Sequence, residues 1–177
     1  MSSRLTFTPE QIQLINETDH RLRTWMDVKG LSQWIAKECP NYEIVLFGSR
    51  INGRYKENSD LDVMFHNSSI HGEWMEEDYC RNAYETLLGF CETFETYLAI
   101  PVKLDALLSH YRIKGEYMWV YNRSPQSIDR YEDITSGWDY GDIPYYFKIN
   151  AQGLSFEVLD GCEDEVFDGK TFKKSFV

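Results

Sequence analysis

Asp60 and Asp62 stand one residue apart in "SDLDVMF", and a Gly48-Ser49 pair precedes them in "FGSRINGRYKENSDLDVMF". On a strand, alternate side chains share a face, so Asp60, Asp62 and Met64 point one way and Leu61, Val63 and Phe65 the other. The apolar set suits a core. That leaves two like charges on the opposite surface, where they repel unless a cation lies between them. Magnesium takes hard oxygen ligands, usually one or two carboxylates with water and phosphate completing the shell. In "PVKLDAL" the same parity sets Lys103 and Asp105 on one face and Val102, Leu104 and Ala106 on the other, so a later strand offers a third carboxylate. Three carboxylates can hold two Mg2+ ions, with Mn2+ as the alternative cation. Two metals roughly 4 Å apart can activate an attacking hydroxyl and stabilise a leaving pyrophosphate during in-line displacement. Asp105 is then the expected base or activating ligand.

A triphosphate needs its own cradle. Gly48 and Ser49 follow a strand and are expected to open a short helix, where free backbone N–H groups and the Ser49 hydroxyl can hold phosphate oxygens. Arg50, Arg54 and Lys56 add local positive charge. Taken singly, a DxD on a strand is commonly an exposed edge, and a Gly-Ser pair is commonly a turn. The order strand, Gly-Ser, Gly, Ser-Asp-x-Asp, strand, and then a later strand Asp has far fewer innocent explanations.

In this order the sequence resembles the nucleotidyltransferase superfamily typified by DNA polymerase beta, most closely its minimal members. Their pattern is roughly GSR-x-x-G, a short loop, then SD-x-D with an apolar tail. The resemblance implies nucleotide contacts for Gly48, Ser49, Arg50, Gly53 and Arg54, with Gly53 shaping the loop, and metal ligation for Asp60, Asp62 and Asp105. It also implies transfer of a nucleoside monophosphate, AMP from ATP, to an acceptor hydroxyl. It covers residues 31–122, with "RIKGEYMWVY" similar to the family's closing strand. The minimal members include antitoxins that modify a partner toxin and enzymes that modify aminoglycosides, so a protein or a small hydroxylated molecule is the expected acceptor. The first helix and the C-terminal segment lie outside the pattern.

These residues must be positioned by elements. "TPEQIQLINETDHRLRTWM" has Thr8 as N-cap and Pro9 at the first helical position, with Ile12, Ile15, Leu22 and Trp25 near helical spacing. "LSQWIAKECP" reads as a second helix ending at Pro40. "YEIVLF" and "LDVMF" read as buried strands joined by a polar loop. The pattern from Trp74 to Leu98 predicts one long helix or two shorter ones. "IPVKLDALL" and "GEYMWVY" give two further strands, with a short helical or turn stretch near "LSHYRI". "YYFKIN" and "LSFEVLD", separated by "AQG", carry a hairpin signal. The expected fold is α+β, a small mixed sheet flanked by helices. Residues 1–122 form the catalytic domain, and residues 123–177 form a C-terminal extension with the hairpin packed on it.

Composition narrows the partners. The 177 residues are 42% hydrophobic, 15% aromatic and 27% charged, as in a globular chain. No run approaches the roughly 18 apolar residues of a transmembrane helix, and the N-terminus lacks a signal-peptide core, so a cytoplasmic location with no membrane partner is expected. Cys39, Cys80, Cys91 and Cys162 are scattered as free thiols are. Acidic residues outnumber basic ones 29 to 18, for a net charge of -11, which disfavours long nucleic acid as a partner. It leaves a metal-bound nucleotide acceptable. His20, His66, His71 and His110 lack metal spacing and read as surface or packing residues, with a minor role near the site the alternative for His66, two residues beyond Met64 on the acidic face. The aromatic residues Trp138, Tyr140, Tyr145, Tyr146 and Phe147 read as hairpin packing, with base stacking the alternative. The rival reading is an acidic binding or inhibitor protein on the same scaffold, motivated by the charge and by the acidic "DGCEDEVFDG".

Overall fold

A computed structural model describes residues 7–67, 77–113, 116–123, 138–139 and 145–158. His71, Tyr140 and "DGCEDEVFDG" lie outside them.

Helix α1 (Pro9–Trp25) starts in a capping box: the Gln11 N–H donates to Thr8 Oγ1 at 3.2 Å, and the Thr8 N–H donates to Gln11 Oε1 at 2.9 Å. Its buried stripe is Leu14, Thr18 and Leu22, whereas Ile12, expected on that face, is 46% exposed. Thr18 tolerates the interior because its hydroxyl donates to the Leu14 carbonyl. Helix α2 (Val28–Glu38) begins earlier than the sequence suggests, with Gly30 inside it. Asp27 caps it by accepting from the Gly30 N–H, and a Cβ on residue 30 would meet the Asp27 carboxylate and, at 2.7 Å, the Tyr97 ring. Gly30 is therefore a packing requirement rather than a boundary.

Strand β1 (Tyr42–Phe47) runs into the single turn of α3 (Ser49–Asn52). Strand β2 (Leu61–Asn67) follows, then one continuous helix α4 (Glu77–Thr96). Strand β3 (Leu104–Ile113) absorbs the expected turn near "LSHYRI": it stays paired with β4 (Glu116–Arg123) through register irregularities around Ser109. Those irregularities interrupt the alternation, which is why this part of the strand reads poorly from sequence. A two-residue strand β5 (Trp138–Asp139) and the hairpin of β6 (Tyr145–Asn150) and β7 (Gly153–Val158) complete the described elements.

The described strands form one seven-stranded sheet in the order β5-β4-β3-β2-β1-β6-β7, mixed because β2 and β3 are parallel while the other neighbours are antiparallel. Helix residues Leu22, Leu31, Ile35, Leu87 and Phe94, with Met26 between α1 and α2, bury one face against Ile44, Leu46, Leu61, Val63, Phe65, Ala106 and Leu108. Each such side chain, fully buried, contributes about 1.5–3 kcal/mol. The opposite face has a smaller buried cluster of Val45, Met64, Leu107 and Tyr146. Two-residue parity is thus obeyed across β1, β2 and β3. Among the described residues no helix is long and apolar enough to cross a membrane.

Candidate active site

The strand pairings bring the three chemical segments together. β1 ends where β2 begins, with Phe47 opposite Asp62, and β2 starts level with β3, with Asp62 opposite Asp105. Asp62 therefore lies on the middle strand, between the Gly48-Ser49 turn on one side and Asp105 on the other.

Gly48 makes this closeness attainable. Its backbone sits at φ +79°, ψ -161°, a region that side chains with a Cβ rarely adopt. A Cβ there would run into the Asp62 carboxylate, 2.8 Å from its Cγ. The sequence explains Gly48 only as a phosphate contact; the structure adds that it makes room for the Asp62 carboxylate. Gly53 is buried and left-handed at φ +83°, which ends α3 with its N–H bonded to the Ser49 carbonyl.

Asp62 is pushed up to about 7, first by burial, then by the charge of Asp105, by a hydrogen bond with Asp105 and by the charge of Asp60. Asp105 is also raised, by burial and by Asp60, while the hydrogen bond from Asp62 works in the other direction. The directions agree on one arrangement: Asp62 carries the proton and donates it to Asp105. Asp60 reaches both through its charge.

Among the described residues no group of three or more His, Cys, Asp or Glu side chains is drawn together at metal-ligand spacing. The donor set nonetheless suits a hard divalent cation. All its members are carboxylates, and the proton between Asp62 and Asp105 relieves the repulsion that a cation would relieve.

The cations divide. Arg54 and Lys103 are exposed, and Lys103 contributes its backbone, its carbonyl accepting the Leu61 N–H at 2.9 Å. Arg50 is buried and turned inwards, donating from Nε to the Ser59 carbonyl at 3.0 Å and from Nη2 to the Glu57 carbonyl at 3.2 Å. This places it behind the loop that carries Asp60. Ser49 is half-buried at the head of α3.

The same sheet face continues away from the carboxylates through a polar group in which the sequence singles out His66 and Tyr146 but not Glu43, Lys148 or Glu157. Lys148 contacts Glu157 and lies 3.6 Å from Glu43, while the Tyr146 hydroxyl donates to Glu157 at 2.7 Å. His66 is buried opposite Glu43 in the β1–β2 register. Parity along β1, β6 and β7 is the signal that would have found Glu43, Lys148 and Glu157.

A search of curated proteins finds no match. A family model described as poly(A) RNA polymerase, mitochondrial-like, central palm domain matches residues 6–106, from the first helix into β3. The matched stretch contains the Gly48-Ser49 turn and all three aspartates. Because that match spans more than half of the chain, and a mixed α+β sheet of the expected kind carries it, the protein belongs to this palm-domain family of the polymerase beta-like nucleotidyltransferases.

Proposed function

We propose that the chain transfers a nucleoside monophosphate, AMP from ATP, to an acceptor hydroxyl and releases pyrophosphate. The observation that carries this reading is the register of Asp62 against Asp105, with the Gly48 backbone pressed on Asp62. Burial raises both carboxyls, and the closeness of Asp105 raises Asp62 further; a fold with no use for a cation at this point has no evident reason to keep such a pair.

Ser49 and the amides opening α3 hold the phosphates. Asp60, Asp62 and Asp105 would hold Mg2+ or Mn2+, which when bound supplies neutralising charge to the triphosphate and acidity to the attacking hydroxyl. Asp105 receives the acceptor's proton as the new O–P bond forms and the bond between the α- and β-phosphates breaks. Arg54, exposed beside the turn, contacts the nucleotide.

For the acceptor we favour a protein side chain or a small hydroxylated molecule, supported by the net charge of -11. An RNA 3′ end is the second reading, and the family description favours it. Incubation with Mg2+ and ATP labelled at the α-phosphate, in separate arms with an RNA oligonucleotide, a protein extract and a small-molecule extract, distinguishes them. Label is expected in the protein or small-molecule arm. Transfer no greater than that of an Asp60→Asn, Asp62→Asn double variant in every arm would refute the activity and favour partner occlusion by an acidic scaffold.

A further inference from the structure

Arg50 is only 5% exposed, and a buried guanidinium must have its charge and donors satisfied. Among the described residues no carboxylate supplies this. Its partners are the Ser59 and Glu57 carbonyls and two aromatic faces, with the guanidinium carbon 5.2 Å from the Trp25 ring centroid and 5.3 Å from that of Tyr55. Those rings meet edge to face at 5.2 Å. Arg21 lies over the same two rings and donates from Nη2 to the Arg50 carbonyl at 3.2 Å. Two guanidinium groups and two rings therefore join α1, α3 and the loop after α3.

This stack bears on one residue of the site. The Ser59 carbonyl, held by Arg50, belongs to the peptide that enters Asp60; the Leu61 N–H, held by the Lys103 carbonyl, belongs to the peptide that leaves it. The turn before it is closed by the Ser59 N–H on the Lys56 carbonyl and the Lys56 N–H on Ser59 Oγ. Asp60 is thus fixed at both neighbouring peptides, one anchor on Arg50 and the other on the strand that carries Asp105. Arg50 also follows Ser49 directly, so the residue next to the phosphate turn sets the aspartate loop.

We infer that Arg50 is a positioning residue that holds Asp60 in place through the Ser59 backbone, rather than a nucleotide ligand. What Asp60 is positioned to do rests on the function proposed above. Arg50→Lys keeps the charge and removes the planar fork. In the full chain, R50K is expected to speed hydrogen exchange at the Lys56 and Ser59 amides about tenfold while the amides of β1 and β2 keep their protection. Mn2+ affinity, read by calorimetry, is expected to fall about tenfold to a hundredfold, as when a residue supporting a metal ligand is removed.

Unchanged exchange at Lys56 and Ser59, or an equal loss of protection across β1 and β2, overturns the inference. So does unchanged Mn2+ affinity in a chain that otherwise binds the ion. If the unaltered chain takes up no Mn2+, the proposed function fails on its own count, and exchange at Lys56 and Ser59 still decides the role of Arg50. Should R50K not fold, Tyr55→Leu removes one aromatic face at a half-buried loop position and is read by the same two measurements.

Discussion

At Gly48 two demands coincide: a positive φ and a backbone that touches the Asp62 carboxylate. Gly48→Ala must then both strain the turn and displace the carboxylate. Strain of this kind costs about 1–3 kcal/mol, so denaturant unfolding is expected to show a loss in that range, accompanied by loss of nucleotidyl transfer. An alanine variant of unaltered stability would mean that the close approach is not real. Asp62 gives a second prediction with a definite sign. Its value in the fold is about 7, above the ordinary 3.8, so the neutral form is favoured on folding. The contribution to stability is therefore full below about pH 4 and lost as pH rises through about 7. Unfolding free energies without divalent cation should decline across that window, and Asp62→Asn should flatten much of the decline. Since cation and proton compete for the same oxygens, Mg2+ should stabilise the chain more at pH 8 than at pH 5. An unaltered slope in the Asn variant would argue against the shared proton.

At the scale of elements, the hairpin matters because of where it pairs. β6 lies against β1, with Ile44, Val45 and Leu46 opposite Ile149, Lys148 and Phe147, and Phe147 and Ile149 are buried in the core that α2 covers. β1 is the strand that delivers Gly48. A chain cut after Asn122 loses one of the two strands paired with β1 together with the buried Tyr145, Tyr146, Phe147 and Ile149 side chains, so its circular-dichroism melt should show no cooperative transition. A sharp melt near that of the full chain would show that residues 1–122 are self-sufficient. The sequence makes some of this arrangement legible and hides the rest for physical reasons. "LDVMF" and "KLDAL" reveal their two faces because two-residue parity is local, and the register of Asp62 with Asp105 follows the same parity. The pairing of β6 with β1 brings together residues about a hundred positions apart, which no local pattern encodes. The burial of Arg50 is hidden for a similar reason. It is decided by Trp25 on α1 and Tyr55 beyond α3, which lie on either side of the Gly-Ser turn in the sequence and outside its local pattern.

For the molecule as a whole, charge and family pull the choice of acceptor apart. A palm domain described for poly(A) polymerases suggests RNA, while 29 acidic against 18 basic residues suggests that phosphate backbones are repelled. Salt dependence separates these influences. Affinity for single-stranded nucleic acid falls with salt at a logarithmic slope of about 0.7 per phosphate neutralised. A chain with few concentrated cations neutralises only one or two, so lowering salt from about 0.2 M to about 0.05 M should strengthen binding of an RNA oligonucleotide by less than about tenfold. ATP with Mg2+ should behave differently, because Mg2+ offsets part of its charge and the proposed site would hold it by Ser49 and the carboxylates rather than by the general surface. At about a hundred times its dissociation constant a ligand stabilises the fold by about 2.7 kcal/mol, and for a chain of this size each kcal/mol moves the melting temperature by about 2–4 °C. A rise of roughly 5–10 °C is therefore expected with Mg2+ and ATP, and it should vanish in the Asp60→Asn, Asp62→Asn variant. RNA binding that strengthens steeply as salt is lowered would instead reveal a concentrated basic track and make a 3′ hydroxyl the acceptor to pursue.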